Sequence, residues 1–307
     1  MESSALRAED GHPIKVSAWR PGTDAPNVVI QVLHGLGEYA ARYDRFARAC
    51  MASGFAVVAH DHRGHGSAAE YPGHFADRDG WDKVIGDVRR VQRWIGQDYP
   101  QVPVVLFGHS MGSYIAQSFA LRHPGGFSQL ILSASTYAAR GELHAAHLLA
   151  ALLSIVDRRG KSKLLNAMGF DAFNRPFEPA RTGFDWLSRD AAEVDKYVAD
   201  PLCGGPYTNR LWYDLTGGLL EITAQHAIAA VPTDIPILIL GGQLDPVGGE
   251  RRLKRLADVY RKTGHERVTL SIYAGGRHEM LNEINRDAVT SDILGWIREQ
   301  LPDRDRN

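Results

Sequence analysis

A serine framed by glycines, Gly108-His109-Ser110-Met111-Gly112, lies between two apolar stretches: Pro103-Val104-Val105-Leu106-Phe107 before it and Tyr114-Ile115-Ala116-Gln117-Ser118-Phe119-Ala120 after it. The spacing predicts a buried strand, a tight turn and a helix. A serine at such a turn is held in a strained backbone, its hydroxyl exposed above a helix N-terminus. The glycines let the turn close where a larger side chain would collide with neighbouring strands. Five residues of this pattern alone are often only a loop; the strand and helix around them make Ser110 a candidate nucleophile.

A serine hydroxyl attacks poorly until a base removes its proton, and the base needs an orienting partner. Thirteen histidines are available, so position must choose among them. His278 stands in Ala274-Gly275-Gly276-Arg277-His278-Glu279, after the last apolar run and before the last helical pattern. Asp245 stands in Gly241-Gly242-Gln243-Leu244-Asp245-Pro246, after the preceding run. Both are expected in loops at the carboxyl ends of strands, where open parallel sheets place ligands. The order Ser110, Asp245, His278 is one in which such triads occur. Asp214 and Asp234 are the nearest alternative acids, but neither follows a strand end. An acyl-transfer intermediate also needs donors for its oxyanion. The backbone N–H of Met111 is one candidate. The other is Leu36, in His34-Gly35-Leu36-Gly37-Glu38 after an earlier apolar run. His34 reads as a side chain bracing that loop.

Asp61-His62-Arg63-Gly64-His65-Gly66-Ser67, preceded by His60, has the look of a metal site. Its glycines mark a sharp turn, in which an Asp–Arg pair is expected to act as a brace. Nothing nearby has the ligand spacing of a zinc site. No metal and no cofactor is expected.

These residues need a scaffold. The 307 residues are 44% hydrophobic, enough for a sizeable core. Six short apolar runs recur: Val28 to Leu33, Phe55 to Ala59, Val104 to Phe107, Leu130 to Leu132, Ile235 to Leu240 and Val268 to Tyr273. Ile14 to Trp19 alternates and reads as an antiparallel edge strand. Helical faces run through Trp81, Val84, Ile85, Val88, Val91, Trp94 and Ile95, and through Leu253, Leu256, Ala257 and Tyr260. A last one is expected through Ile284, Ala288, Ile293, Trp296 and Ile297. Alternating strands and helices imply an α/β protein with a mostly parallel sheet covered on both faces. From Tyr137 to Pro206 the alternation stops. An apolar helical piece, Leu143 to Val156, precedes Arg158-Arg159-Gly160-Lys161-Ser162-Lys163. An irregular stretch with Phe170, Phe173, Phe177, Phe184 and Trp186 follows. Linkers are polar and poor in aromatics, so this is expected to be an insertion carried by the core. The organisation expected is core over 1–136, cap over 137–205 and core again over 206–307. Leu148, Leu149, Leu152, Leu153, Ile155 and Val156 either pack down over the site or stay exposed and dock on membranes or micelles, the basic cluster meeting anionic headgroups.

With 35 basic and 36 acidic residues the formal net charge is −1, and no basic run suggests nucleic acid. Cys50 and Cys203 make neither a disulfide framework nor a ligand cluster. The first ten residues do not form a signal peptide, and the longest apolar stretch is too short to span a bilayer. A cytoplasmic protein is expected.

Together these motifs resemble the α/β-hydrolase superfamily. Within it they resemble the monoacylglycerol lipase and lysophospholipase-like serine hydrolases, a serine aminopeptidase-like group. The matching segments are 34–38, 61–67, 108–112, 242–246 and 276–279. The resemblance implies Ser110 as nucleophile, Asp245 as orienting acid, His278 as base, and Leu36 and Met111 as oxyanion donors. It also implies a cap inserted after the sixth strand. Proline iminopeptidase-type relatives carry Gly-Gly-Pro-Gly after the loop histidine, where this chain has Gly-Leu-Gly-Glu, which favours ester cleavage. The expected activity is hydrolysis of small or single-chain lipid esters, monoacylglycerol or lysophospholipid-like. The alternatives are cleavage of a thioester or amide, or a silent binding protein on the same fold.

Overall fold

The computed structural model describes residues 1–22, 25–169 and 171–301; Phe170, singled out in the aromatic stretch, lies outside them. Eight strands form one sheet: β1 (Glu2–Arg7), β2 (Pro13–Trp19), β3 (Val29–Leu33), β4 (Ala56–His60), β5 (Val104–His109), β6 (Gln129–Ser133), β7 (Ile237–Gly242) and β8 (Val268–Tyr273). Their order is β1-β2-β4-β3-β5-β6-β7-β8. The pairs β1/β2 and β2/β4 are antiparallel and all others parallel.

All six apolar runs become the parallel strands. β3 to β7 are buried on both faces because helices cover both, whereas β8, at the sheet edge, is only half-buried. The edge assignment of Ile14–Trp19 is corrected. β2 is interior, with β1 outside it in register Glu2↔Ala18 to Arg7↔Pro13. The Glu2–Arg7 strand is mostly exposed and shows no apolar alternation, so periodicity could not reveal it.

The helices are α1 (Asp44–Ala52), α2 (Gly80–Asp98), α3 (Met111–Arg122), α4 (Arg140–Val156), α5 (Lys163–Gly169), α6 (Asp171–Asn174), α7 (Ala191–Ala199), α8 (Asn209–Ile222), α9 (Gln225–Ile228), α10 (Gly249–Lys262) and α11 (Arg286–Glu299). α2, α3, α8 and α10 share one core cluster with Leu33, Leu106, Leu130 and Ile239. α1 and α11 share the other with Val32, Phe107, Ile131 and Leu240. The face expected on the last helix is corrected at its start. Ile284 precedes α11 and is exposed, as is Ala288, and Val289 is the buried residue instead.

Among the described residues no strand lies between β6 and β7, which are joined by α4 to α9. The aromatic stretch is packed: Phe173, Phe177 and Phe184 surround Trp186, Leu187 and Tyr197. No helix among the described residues is long and apolar enough to cross a membrane.

Candidate active site

Ser110 terminates β5 and begins α3 with φ 50° and ψ −120°, a conformation non-glycine residues rarely hold. Packing enforces it. A Cβ on Gly108 would overlap the Gly112 carbonyl, and one on Gly112 would overlap the Leu33 carbonyl of β3. The Ser110 N–H donates to the Ser133 carbonyl at 2.9 Å, tying the elbow to β6.

His278 and Asp245, 33 residues apart in the chain, are brought together. The His278 Nδ1 lies 2.9 Å from Asp245 Oδ1, and that oxygen also accepts the Val247 N–H at 2.9 Å. An ionised carboxylate only accepts, so Nδ1 carries the hydrogen and Nε2 is left as the basic nitrogen. Burial alone would push the His278 pKa down. The Asp245 carboxylate, by charge and hydrogen bond, outweighs it, with Glu279 and Glu38 adding to its pull, and the imidazole sits above its ordinary value. His278 and Ser110 line one cavity but share no hydrogen bond, a contact that in resting enzymes often closes only around substrate. Asp214 is elsewhere, paired with Arg210 at 3.1 Å.

Leu36 and Met111 line the same cavity. Neither backbone N–H donates to a protein acceptor among the described residues, as the first turn of a helix permits for Met111. His34 braces the Leu36 loop. Its Nδ1 lies 2.8 Å from the Gly35 carbonyl, and its Nε2 accepts the His62 N–H at 2.9 Å.

The 60–66 segment holds no metal-like geometry; among the described residues no three such side chains converge to hold an ion. Its imidazoles pack on one another instead: His62 lies tilted against His34 at 4.2 Å and meets His60 edge to face at 4.8 Å. Burial pushes His60 and His65 down to about 4. The expected Asp61–Arg63 brace is corrected. Arg63 pairs with Asp87 at 2.6 Å and Asp10 at 2.8 Å, while Asp61 accepts the Ala40 N–H at 2.9 Å.

A cluster that residue types did not reveal joins these loops. Arg42 donates to Glu38 Oε2 at 2.8 Å and, through two nitrogens, to the Glu279 carboxylate at 2.7 and 2.8 Å. Glu38 Oε1 accepts the Gly35 N–H at 2.6 Å and the Tyr43 hydroxyl at 2.9 Å. The Tyr197 hydroxyl donates to the Gly37 carbonyl at 2.9 Å, and its ring lies 4.9 Å from the guanidinium of Arg42. Burial opposes ionisation of both acids; Arg42 prevails at Glu279 and lowers it, while burial prevails at Glu38 and raises it. Glu38 and Glu279 stood inside the motifs, but only the fold brings Arg42 between them.

The cavity measures about 310 Å³. Leu143, Phe173, Trp186 and Tyr197 reach it from the segment after β6, and Leu215 and Leu219 from α8. The Trp186 ring sits 4.8 Å from that of His278, and the Glu279 N–H donates to the Leu187 carbonyl at 2.8 Å. The segment between β6 and β7 therefore lines the cavity and hydrogen-bonds the loop that carries the histidine.

A family model described as serine aminopeptidase, S33, matches residues 24–285. A monoacylglycerol lipase from Mycolicibacterium smegmatis is 28% identical over 294 residues, covering 95% of this chain and 95% of its own. The monoglyceride lipase of Homo sapiens is 29% identical over 302 residues, covering 95% of this chain and 88% of its own. A highly thermostable carboxyl esterase from Bacillus coagulans, solved in complex with glycerol, superposes with a TM-score of 0.90 at 28% identity, covering 98% of this chain and 99% of that one.

Proposed function

The chain belongs to the serine aminopeptidase S33 family, on the α/β-hydrolase fold, and from that premise we propose that it hydrolyses single-chain lipid esters through an acyl-enzyme on Ser110. It is a carboxylic ester hydrolase, like the lipases and the esterase it resembles along nearly its whole length. In the proposed reaction Ser110 Oγ attacks the ester carbonyl carbon while His278 Nε2 takes the hydroxyl proton. Asp245 holds the imidazole by Nδ1–H and stabilises its charged form. The N–H groups of Leu36 and Met111 receive the oxyanion. Collapse breaks the bond to the alcohol, which leaves with the proton from His278. Water then gives its proton to His278, attacks the acyl carbon and releases the acid and Ser110.

The substrate class rests on the cavity wall. It is largely apolar, with Leu36, Leu143, Leu215 and Leu219 among its residues, and its volume suits one acyl chain. Monoacylglycerols and lysophospholipid-like esters fit that description. Residues 137–205 act as a cap that selects among them. α4 presents Leu148, Leu152, Ile155 and Val156 to solvent beside the exposed Arg158, Arg159, Lys161 and Lys163, a face suited to transient contact with a membrane or micelle.

A fluorophosphonate reagent tests the machinery, and paired substrates test the class. The probe is expected to modify the peptide containing Ser110, and the protein to cleave long-chain monoacylglycerol as well as p-nitrophenyl butyrate. Failure to label Ser110 overturns the mechanism. Cleavage of the short soluble ester alone overturns the lipid assignment.

A further inference from the structure

We propose that Tyr114, Thr136 and Arg252 form an anion-accepting subsite beside the nucleophile, which takes an ionised phosphate or carboxylate carried by a single-chain ester. Three features place it. Thr136 is 4% exposed and lines the cavity, yet its hydroxyl has no hydrogen-bond partner. Tyr114, 5% exposed, brings its hydroxyl-bearing side chain to the same wall. A buried hydroxyl without a partner, like that of Thr136, is uncommon in folded proteins and points to a group that arrives with the ligand. Arg252 lines the same cavity. Among the described residues its side chain makes one hydrogen bond, to the Val247 carbonyl at 3.1 Å, which leaves most of its five donors unused. Its ion pair with Glu142 is long, 3.8 Å, and Glu142 is largely exposed, so an incoming anion can replace it.

Sheet order gives the subsite its sign. Ser110 follows β5. On one side, the loop after β3 carries Glu38, which with Glu279 shares a single cation, Arg42. On the other side, Thr136 follows β6 and Arg252 lies on α10, which follows β7. Among the described residues that line the cavity, Arg252 is the one Arg or Lys. Glu142 lines it too but its side chain is 70% exposed, and Asp245 accepts from His278 and Val247 through Oδ1 while its Oδ2 has no partner. A substrate anion is repelled from the Glu38 flank and drawn to the Arg252 flank, where a guanidinium and two hydroxyls match the donors an oxyacid needs.

The inference rests on the ester-hydrolase reading, and the experiment separates the two. Three esters are compared: neutral 1-octanoylglycerol, 1-octanoylglycerol-3-phosphate, and the 1-glyceryl monoester of suberic acid, whose anion lies at the far end of the acyl chain. kcat/KM is measured for the wild type, Arg252→Gln, Thr136→Val and Tyr114→Phe. Arg252→Gln is expected to lose about tenfold or more on one anionic ester, chiefly through KM, and less than about twofold on the neutral ester, in line with loss of a charge-assisted hydrogen bond. The two hydroxyl variants lose less on that same ester. The ester that responds identifies the source of the anion, a headgroup phosphate or a chain-end carboxylate. Equal changes on all three esters, or no dependence on Arg252 for either anion, overturns the subsite while leaving the hydrolase intact. No cleavage of any ester by the wild type overturns the hydrolase reading itself.

Discussion

On the β3 side of Ser110 the buried charges are paired: Glu38 with Arg42, Gly35 and Tyr43, and Arg42 with Glu279. On the β6–β7 side the Thr136 hydroxyl is buried without a partner, and the Arg252 side chain makes one hydrogen bond among the described residues, to the Val247 carbonyl. The first flank is a saturated network at low dielectric, which fixes geometry. It binds the 34–38 loop to the loop carrying His278. The second flank is left unsatisfied, a state that costs folding energy and is retained where a ligand completes it. One side of Ser110 is fixed by its own ion pairs, and the other is the side we propose for an incoming anion.

The sharpest way to break that comparison is to remove the atom between the flanks. Ser110→Ala is expected to lower ester turnover by on the order of 10⁴-fold or more, because triad groups act as a unit. Its melting temperature should match the wild type, since neither flank is touched. Residual turnover of a tenth of wild type in the purified variant would place the nucleophile elsewhere. Asp245→Asn comes next, with an expected loss of about 10⁴-fold, as the amide favours the wrong imidazole tautomer. It also moves the pH profile. His278 must be neutral to accept a proton, and its pKa lies above the ordinary 6.5 chiefly through Asp245 prevailing over burial. The acid limb of wild-type kcat/KM therefore lies above that value, and in the variant it shifts to lower pH. A near-normal rate, or an unmoved limb, would assign the acid to another residue.

Arg42→Met attacks the saturated flank. It leaves Glu38 and Glu279 buried without a cation, a loss of about 3–5 kcal/mol in such pairs. Thermal unfolding should show it as a large fall in melting temperature, and turnover should fall for neutral and anionic esters alike. Arg42→Lys should restore part of the stability but less of the activity, since an ammonium cannot span both Glu279 oxygens. If Arg42→Met changed selectivity between esters and spared stability, the division between the flanks would be wrong.

The same contrast explains what the sequence makes legible. Ser110, Asp245 and His278 each end or follow a strand, so periodicity and turn chemistry locate them. Five of the six apolar runs are legible as strands because burial on both faces leaves them few polar positions, while Val268–Tyr273, half-buried at the sheet edge, shows instead by alternation. β1 was hidden because an outer strand with one solvated face and no core residues carries no periodic signal. Arg42, Tyr114, Thr136 and Arg252 were hidden for another reason. Their roles come from neighbours on other strands, and nothing in the local residue types records which strands lie side by side.

α4 repeats the contrast at smaller scale. Leu143 and Ala146 face the cavity and Ala150 is buried, while Leu148, Leu152, Ile155 and Val156 lie 61%, 55%, 81% and 85% exposed. Spacings of four, seven and eight residues put these four on one helical face. Packing down over the site therefore accounts for one face of the helix and leaves the other unexplained, next to the cations of residues 158–163. Replacing Leu148 and Leu152 together with serine removes no core contact, so stability should change by less than about 0.5 kcal/mol, as for ordinary surface positions. Turnover of aggregated long-chain monoacylglycerol should fall roughly threefold to tenfold, because partial immersion of two leucines forfeits part of the ~1.5–3 kcal/mol each gains on full burial. Soluble p-nitrophenyl esters, which reach Ser110 without an interface, should be cleaved as before. Salt should weaken the remaining interfacial preference on anionic micelles, since the cations act through a screened field. Equal losses on both kinds of ester would leave α4 only a packing role, and no loss on either would place its outer face off the path that substrate takes to the cavity.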